Sequence, residues 1–438
     1  MDRQIVERRV DALLQVRSPG LPVGLSVARP WLAIAVLLAF VSSAVAQERD
    51  PASALTEEAV VKLAVRRAPL TDAIEGEIAI EEGRGRAASA YPNPQLSYLR
   101  EQTFGTFGTG EDYLLLSQTI DLGNRRGLLG EAGAARARAA RSEGDAARLT
   151  VAAEARLRFY EVLYRQDRVA VLKVWIARIA EALKIVMHRE ERGDAATYDR
   201  RRLERERSVA NGRFETERAA LERAQARLAA LLGPGVSAPV VTGTLLPDSE
   251  PAALPALRAS SRSRPDLRAL GLRIDAAALD STAASRWWVP DLRLDGGWKG
   301  VDFGKQGRAD GFLLGPSLSL PLWDQSSGLA HVAAGEARAA RGRRALLESE
   351  LDGELGGARA EAVRLRRAAT GFRREASAAS GDLVRIASAG YEGGELGLLE
   401  LLDAYRGAAD DAVTALDMAH AARRVRVELD RTTGAGLP

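Results

Sequence analysis

Asp291-Leu292-Arg293-Leu294-Asp295-Gly296-Gly297-Trp298-Lys299 alternates apolar and polar residues. Leu292, Leu294, Gly296 and Trp298 fall on one side, and Asp291, Arg293, Asp295, Gly297 and Lys299 on the other. That period of two sends successive side chains to opposite faces of a strand. A second alternating stretch follows, with Phe312, Leu314, Leu318 and Leu320 against Leu313, Gly315, Ser317 and Ser319. One face of such a pair suits lipid and the other water, as the strands of a transmembrane barrel require. Pro316 lies inside the second stretch and predicts a bulge, because proline cannot donate to a ladder.

About 200 residues earlier the same arrangement occurs once already. Gln95–Thr103 and Glu111–Asp121 form a less regular strand pair of the length that a tilted strand needs to cross hydrocarbon. Pro92 and Pro290 are 198 residues apart, Thr119 and Pro321 are 202 apart, and Gly193 and Gly394 are 201 apart. The chain is therefore read as a duplicated unit. The first repeat covers residues 47–232, with its strand pair at 95–121 and a helical hairpin at 124–232. The second covers residues 266–434, with its strand pair at 291–321 and a hairpin at 326–431. Between them, residues 233–265 hold six prolines, Pro234, Pro239, Pro247, Pro251, Pro255 and Pro265, and read as a non-helical connection.

Within residues 124–192 there is no proline, and a helix of that length reaches about 100 Å. Val169, Leu172, Ile176, Ile179, Leu183 and Val186 recur at alternating intervals of three and four, a coiled-coil seam. Gly193-Asp194 breaks this helix and Gly393-Gly394 breaks its counterpart, each sending back a shorter antiparallel helix. Before the first strand pair, Thr56 reads as the cap of a helix running from Leu55 to about Ala90, stopped by Tyr91-Pro92-Asn93-Pro94.

Composition narrows the partners. Most of the net charge of +3 sits in the first 46 residues, whose five arginines and three acidic residues leave 57 of the 62 basic and 56 of the 59 acidic residues to a nearly neutral remainder. Signs alternate along helical stretches such as Arg200–Arg207, so nucleic acid is not an expected partner. Trp31–Val41 is an apolar run of 11 residues after Arg29, followed by Ser42-Ser43-Ala44-Val45-Ala46. Residues 1–46 thus read as an export signal, too short to span a bilayer. There is no cysteine, hence no disulfide and no thiolate metal site. Four strands leave two open edges, which hydrocarbon does not tolerate, so several copies must close one barrel. Two copies give a barrel filled by side chains, whereas three give 12 strands and an open lumen.

Tyr91-Pro92-Asn93-Pro94-Gln95-Leu96, Ser117-Gln118-Thr119-Ile120-Asp121-Leu122-Gly123 and Leu318-Ser319-Leu320-Pro321-Leu322-Trp323-Asp324 resemble the strand-flanking motifs of the TolC outer membrane efflux protein family. The resemblance spans residues 55–434. It implies an α+β membrane protein: a homotrimer with a 12-stranded β-barrel in outer membrane lipid, continued by a periplasmic α-helical coiled-coil barrel. It also implies a periplasmic membrane fusion adaptor and an inner-membrane pump as partners. Residues 318–328 and 390–404 look most like the subgroup served by heavy-metal cation pumps of the resistance-nodulation-division type. By position, Gly193, Asp194, Gly393 and Gly394 correspond to adaptor-docking tips, and Asp199, Glu400 and Asp403 to acidic gate residues. Tyr391 corresponds to a gate-bracing tyrosine. Leu396 stands where some members carry a gating arginine. Three copies of Glu400 and Asp403 around one axis would concentrate negative potential. The same carboxylates also read as surface groups pairing with Arg406 or Arg200 at helix spacing.

Other constellations carry little chemistry. His188, His331 and His420 are the only histidines, none in an i, i+4 pair with another ligand, and they read as solvent-facing rather than as a metal site. The Gly-rich stretch Phe104–Gly110 precedes a strand and lacks the lysine of a phosphate loop. Trp287, Trp288, Trp298 and Trp323 surround the second strand pair and read either as an interfacial belt or as junction packing. No nucleophile–base motif is present, so no enzyme activity, metal or cofactor is expected. The function expected is a passive exit duct of a tripartite efflux system, with drug efflux and type I protein secretion as alternative assignments. A periplasmic coiled-coil adaptor or scaffold would explain the helices but not the strands.

Overall fold

The computed structural model describes residues 54–105 and 108–435; the export signal read over residues 1–46 lies outside the described residues. In chain order the elements are α1 (Glu57–Val65), α2 (Ala68–Ser89), β1 (Gln95–Gln102), β2 (Gly110–Ile120), α3 (Arg125–Glu191) and α4 (Thr197–Leu232). Then come α5 (Leu254–Ser261), α6 (Pro265–Ser285), β3 (Leu292–Asp302), β4 (Arg308–Leu318), α7 (Ser327–Gly393) and α8 (Leu398–Thr433).

Alanine is abundant in α3 and α7 and proline is absent from both, so nothing interrupts either ladder over 67 residues, about 100 Å. Both helices begin from the left-handed residues Asn124 and Ser326, and the amides there are bonded by a preceding aspartate. Asp121 accepts the N–H groups of Gly123 and Arg126 at 3.0 and 2.7 Å, and Asp324 accepts that of Ser326 at 2.9 Å. Their far ends close in the same way. Gly193 and Gly394 adopt φ of +79° and +80°. Asp194 N–H then reaches Arg189 O at 2.8 Å, and Glu395 N–H reaches Gly390 O at 2.8 Å, the Schellman pattern that left-handed glycine permits. The returning helices α4 and α8 have 36 residues each.

Two details of the helices depart from the sequence reading. The expected helix from Leu55 to Ala90 is two helices, capped at Thr56 as anticipated but broken at Arg66 and Arg67, because Pro69 is tolerated only in a first turn. Arg67 uses the break to donate to the terminal carbonyls of α4, Ala230 and Leu231, both at 3.3 Å. Arg264, just before α6, does the same for α8 through Arg431 and Thr432, at 2.7 and 3.0 Å. The connection between the hairpins also contains helix, since α5 starts at Leu254 inside it with Pro255 in its first turn.

That connection is otherwise irregular, and its backbone groups are satisfied largely by side chains. Gln166 exchanges two 3.0 Å hydrogen bonds with Val241, and Leu55 N–H reaches Val240 O at 2.8 Å. Arg366 donates to Pro247 and Asp248 carbonyls, Arg426 to Ser249 and Arg359 to Ala252. Arg423, 8% exposed, donates to Thr244, Leu245 and Leu246 carbonyls at 2.8–2.9 Å. Underneath lies a core shared by α1 (Val60, Val61), α3 (Phe159, Val162, Leu163), α4 (Leu228) and α8 (Val427), with Val241 and Leu245 of the connection.

The four strands form one antiparallel sheet in the order β1-β2-β3-β4. Its register puts Tyr98, Leu114, Trp298 and Phe312 in one row and Leu96, Leu116, Gly296 and Leu314 in the next, all on one face. The large side chains there are exposed, Phe312 89%, Leu314 73% and Leu96 71%. The opposite face carries Lys299 paired with Glu111 at 2.7 Å and Arg293 with Asp295 at 2.9 Å. β4 starts earlier than read from sequence, at Arg308, and Leu320 lies beyond it. Pro316 makes no bulge: it faces Leu294 in an unbroken register. Ser319 N–H bonds Asp291 O at 3.3 Å, so by alternation the Pro316 nitrogen points away from β3 to the open edge, where no intrachain bond is lost.

Arg423→Ala would leave three carbonyls of the connection without donors, and the unfolding free energy should fall by about 2–4 kcal/mol. An unchanged guanidinium unfolding midpoint would show that water replaces the side chain at no cost.

Candidate functional site

Both long hairpins turn at the same end of the molecule, and their tips pack on one core. It is built from Trp175, Ile179, Leu183 and Val186 of α3, Leu203 and Ala210 of α4, Val384 and Tyr391 of α7, and Leu398, Leu401, Leu402 and Tyr405 of α8. The coiled-coil seam read from sequence supplies the α3 side; within it Ile176 is only partly buried.

Tyr391, 6% exposed, lies beneath Arg189, whose guanidinium stands 4.9 Å from the ring centre. Arg189 also donates to the carbonyls of Tyr391 and Glu392 at 3.1 and 3.0 Å, tying the end of α3 to the end of α7. Burial pushes the Tyr391 phenol above its ordinary pKa; Arg189 opposes the shift and the nearby Asp199 carboxylate adds to it. Glu400 and Asp403 are exposed. Glu400 folds back on its own helix start, with Oε2 2.8 Å from where a Cβ on the capping Gly397 would stand, so it complements the helix dipole there. Asp403 lies one turn from Arg406, and its charge helps keep that guanidinium protonated. Gly193, Asp194, Gly393 and Gly394 are all exposed at the two tips. Leu396 is partly buried against Gly390 and belongs to the apolar cluster.

The strongest tie between the hairpins was not singled out in the sequence. Arg406 of α8 grips Glu206 of α4 with two donors, Nε to Oε1 at 2.7 Å and Nη2 to Oε2, and the Glu206 side chain is only 4% exposed. Arg406 holds the Glu206 carboxyl below the usual range although burial works against it. Glu217, further along α4, is held at 2.8 Å by Arg165 and 3.3 Å by Arg168 of α3. A signal for both existed. Leu203, Glu206, Ala210 and Glu217 follow the spacing of a buried seam, whereas the run Arg200–Arg207 was read by its alternating charge as solvated. Arg213 adds a further link, over the Trp175 ring at 5.3 Å and 3.5 Å from Asp410.

The histidines divide. His188 and His331 are exposed, as expected. His420 is not, for its ring stacks on Tyr164 at 4.3 Å, and burial holds its pKa below the ordinary value. Of the tryptophans, Trp323 and Trp288 are 92% and 66% exposed where the strands meet the helices, while Trp298 is in the outer row of the sheet.

No protein-family model and no curated protein matches this chain. Solved structures do. A membrane protein from Pseudomonas aeruginosa aligns at TM-score 0.66 and 21% identity, over 87% of this chain and 90% of that one. CusC, solved in a study of folding and transmembrane channel formation, aligns at 0.67 and 16%, over 87% and 92%. The open-state MtrE outer membrane channel of Neisseria gonorrhoeae aligns at 0.66 and 20%, over 87% and 89%. At these identities the likeness establishes the fold: this chain has the strand-and-long-helix architecture of solved outer membrane channels.

Proposed function

We propose that this chain is the outer membrane exit duct of a tripartite export system, assembled as a homotrimer. One observation carries the reading: a sheet with an exposed apolar face and two open edges is joined to helices of 67 residues. Thr103 N–H bonds Thr109 O, and Ser319 N–H bonds Asp291 O, which fixes the alternation on both outer strands. Leu96, Tyr98, Arg100 and Gln102 therefore direct their backbone groups out from β1, and Arg308, Asp310, Phe312, Leu314 and Leu318 direct theirs out from β4. These residues all carry their side chains on the apolar side of the sheet. β4 of one copy and β1 of the next can thus ladder together with both apolar faces outward, Pro316 forfeiting one donor. Three chains close 12 strands around an open lumen, and the charged inner face, with Lys299, Glu111, Arg293 and Asp295, lines it.

The duct uses no catalysis of its own. Energy comes from an inner-membrane pump, and a periplasmic adaptor docks at the tips marked by Gly193, Asp194, Gly393 and Gly394. There Glu400 and Asp403, repeated around the axis, favour cations, while Tyr391 and Asp199 brace the gate. The motif resemblance at residues 318–328 and 390–404 favours heavy-metal cations delivered by a resistance-nodulation-division pump. The ties between the hairpins, Glu206 with Arg406 and Arg189 with the Tyr391 and Glu392 carbonyls, hold the mouth narrow.

Full-length protein in planar bilayers should give pores and, on gels, migrate as a heat-sensitive trimer; a water-soluble monomer without conductance would refute the duct. Glu400→Ala combined with Asp403→Ala should move the reversal potential in a salt gradient toward the non-selective value, and an unmoved potential would remove these residues from the gate. Glu206→Gln should raise open probability at neutral pH. In the unsubstituted protein the tie is complete above the ordinary glutamate pKa of about 4.3 and is lost as pH falls through the depressed folded value, so opening should begin only below that ordinary value. Identical gating of E206Q and unsubstituted protein from pH 7 to pH 3 would show that the pair does not restrain the mouth.

A further inference from the structure

The outer end of the apolar face carries charge where a barrel normally meets headgroups. One step beyond the row Tyr98, Leu114, Trp298 and Phe312, the same face bears Arg100, Asp112, Gly300 and Asp310 in register, and the next row is Gln102, Gly110, Asp302 and Arg308. Both arginines converge on Asp112, Arg100 at 3.4 Å and Arg308 at 3.9 Å, while Tyr98 Oη donates to the same carboxylate at 2.7 Å. Arg308 leans back over the Trp298 ring, 5.1 Å from its centre. Its other carboxylate neighbour, Asp310, is 3.4 Å away, and none of its N–H groups makes a hydrogen bond among the described residues. The arginine side chains are 55% and 52% exposed. Glycine beneath Arg308 leaves the room it occupies: a Cβ on Gly300 would stand 2.7 Å from Arg308 Nη2.

Resting on the duct reading, which puts this face in lipid, we infer that each copy holds the phosphomonoester headgroup of an outer-leaflet lipid between Arg100 and Arg308. A guanidinium on the lipid side is costly at mid-membrane and nearly free at the interface, so both belong at headgroup height. Two planar forks that reach one carboxylate are close enough to share one phosphate, and Asp112 offsets their mutual repulsion while the phosphate is absent. Below them the exposed Tyr98, Phe312, Leu96 and Leu314 offer a continuous apolar wall to acyl chains. The headgroup and the chains of a single lipid are thus matched in order along the strands.

Native mass spectrometry of the full chain, purified in detergent and titrated with diphosphoryl lipid A, tests the inference. The unsubstituted protein should retain the lipid. R100A combined with R308A should weaken retention at least about tenfold, and R100K with R308K should fall between, keeping charge but losing the fork. Dephosphorylated lipid A should bind no better than to the double alanine variant, and 10 mM inorganic phosphate, roughly the level of a weak free anion, should not displace the lipid. Equal retention by the double variant, equal retention of the dephosphorylated lipid, or displacement by free phosphate would each overturn the site. Conductance of the same preparations in phosphatidylcholine bilayers separates the two levels: pores with arginine-independent retention refute the lipid site alone, whereas a pore-less soluble monomer refutes the duct as well.

Discussion

Along β1 and β4 the outward backbone amides and carbonyls have no partners among the described residues, and the faces beside them are apolar. In water such edges invite indiscriminate pairing, and in hydrocarbon each unpaired group costs several kcal/mol. In the proposed duct the sheet is a fragment completed by further copies. In that assembly its twist and tilt set the diameter of whatever hangs below it, and the two 67-residue helices inherit that spacing. Helices of such length have no deep core of their own; they are held by narrow seams and by side chains that reach from one hairpin to the other.

Arginine does most of that reaching. Arg67 and Arg264 bond the free carbonyls at the ends of α4 and α8, and Arg423, Arg366, Arg359 and Arg426 bond those of the irregular connection. A planar fork with five donors satisfies several carbonyls at once, which lysine cannot do. The partly buried acids on α4 follow the same economy in reverse, each receiving guanidinium groups from another helix. Charge that looks like solvated surface in a linear reading is thus partly an internal fastening. At the tips these fastenings connect one hairpin to the other, so a change in their strength bears directly on how far the hairpins stand apart.

Much of the fold was legible in the residues. Period-two alternation marked β3 and β4, and the absence of proline over residues 124–192 marked α3, whose Gly193 end needed a positive φ. The site was legible only in part. Position alone identified Tyr391 and Asp199, but the Arg189 that covers Tyr391 is 202 residues away in sequence. Pro316 was misjudged for a related reason: whether a proline breaks a ladder depends on which way its nitrogen points, and that is set by the register with β3. His420 was misjudged because the aromatic ring that covers it belongs to α3.

By itself the sequence determined the local periods: which stretches are strands with one apolar face, which are helices too long for a globule, and where left-handed glycines turn the chain. Those properties follow from steric and hydrophobic patterns within a few residues of each position. The tertiary structure decided which charges are fastenings and which are free, because Glu206 meets Arg406 across 200 residues and Arg100 shares Asp112 with Arg308 across a sheet. Pair electrostatics and hydrogen bonding act over a few ångströms of space, and no spacing along the chain encodes which distant residues will be brought within that range.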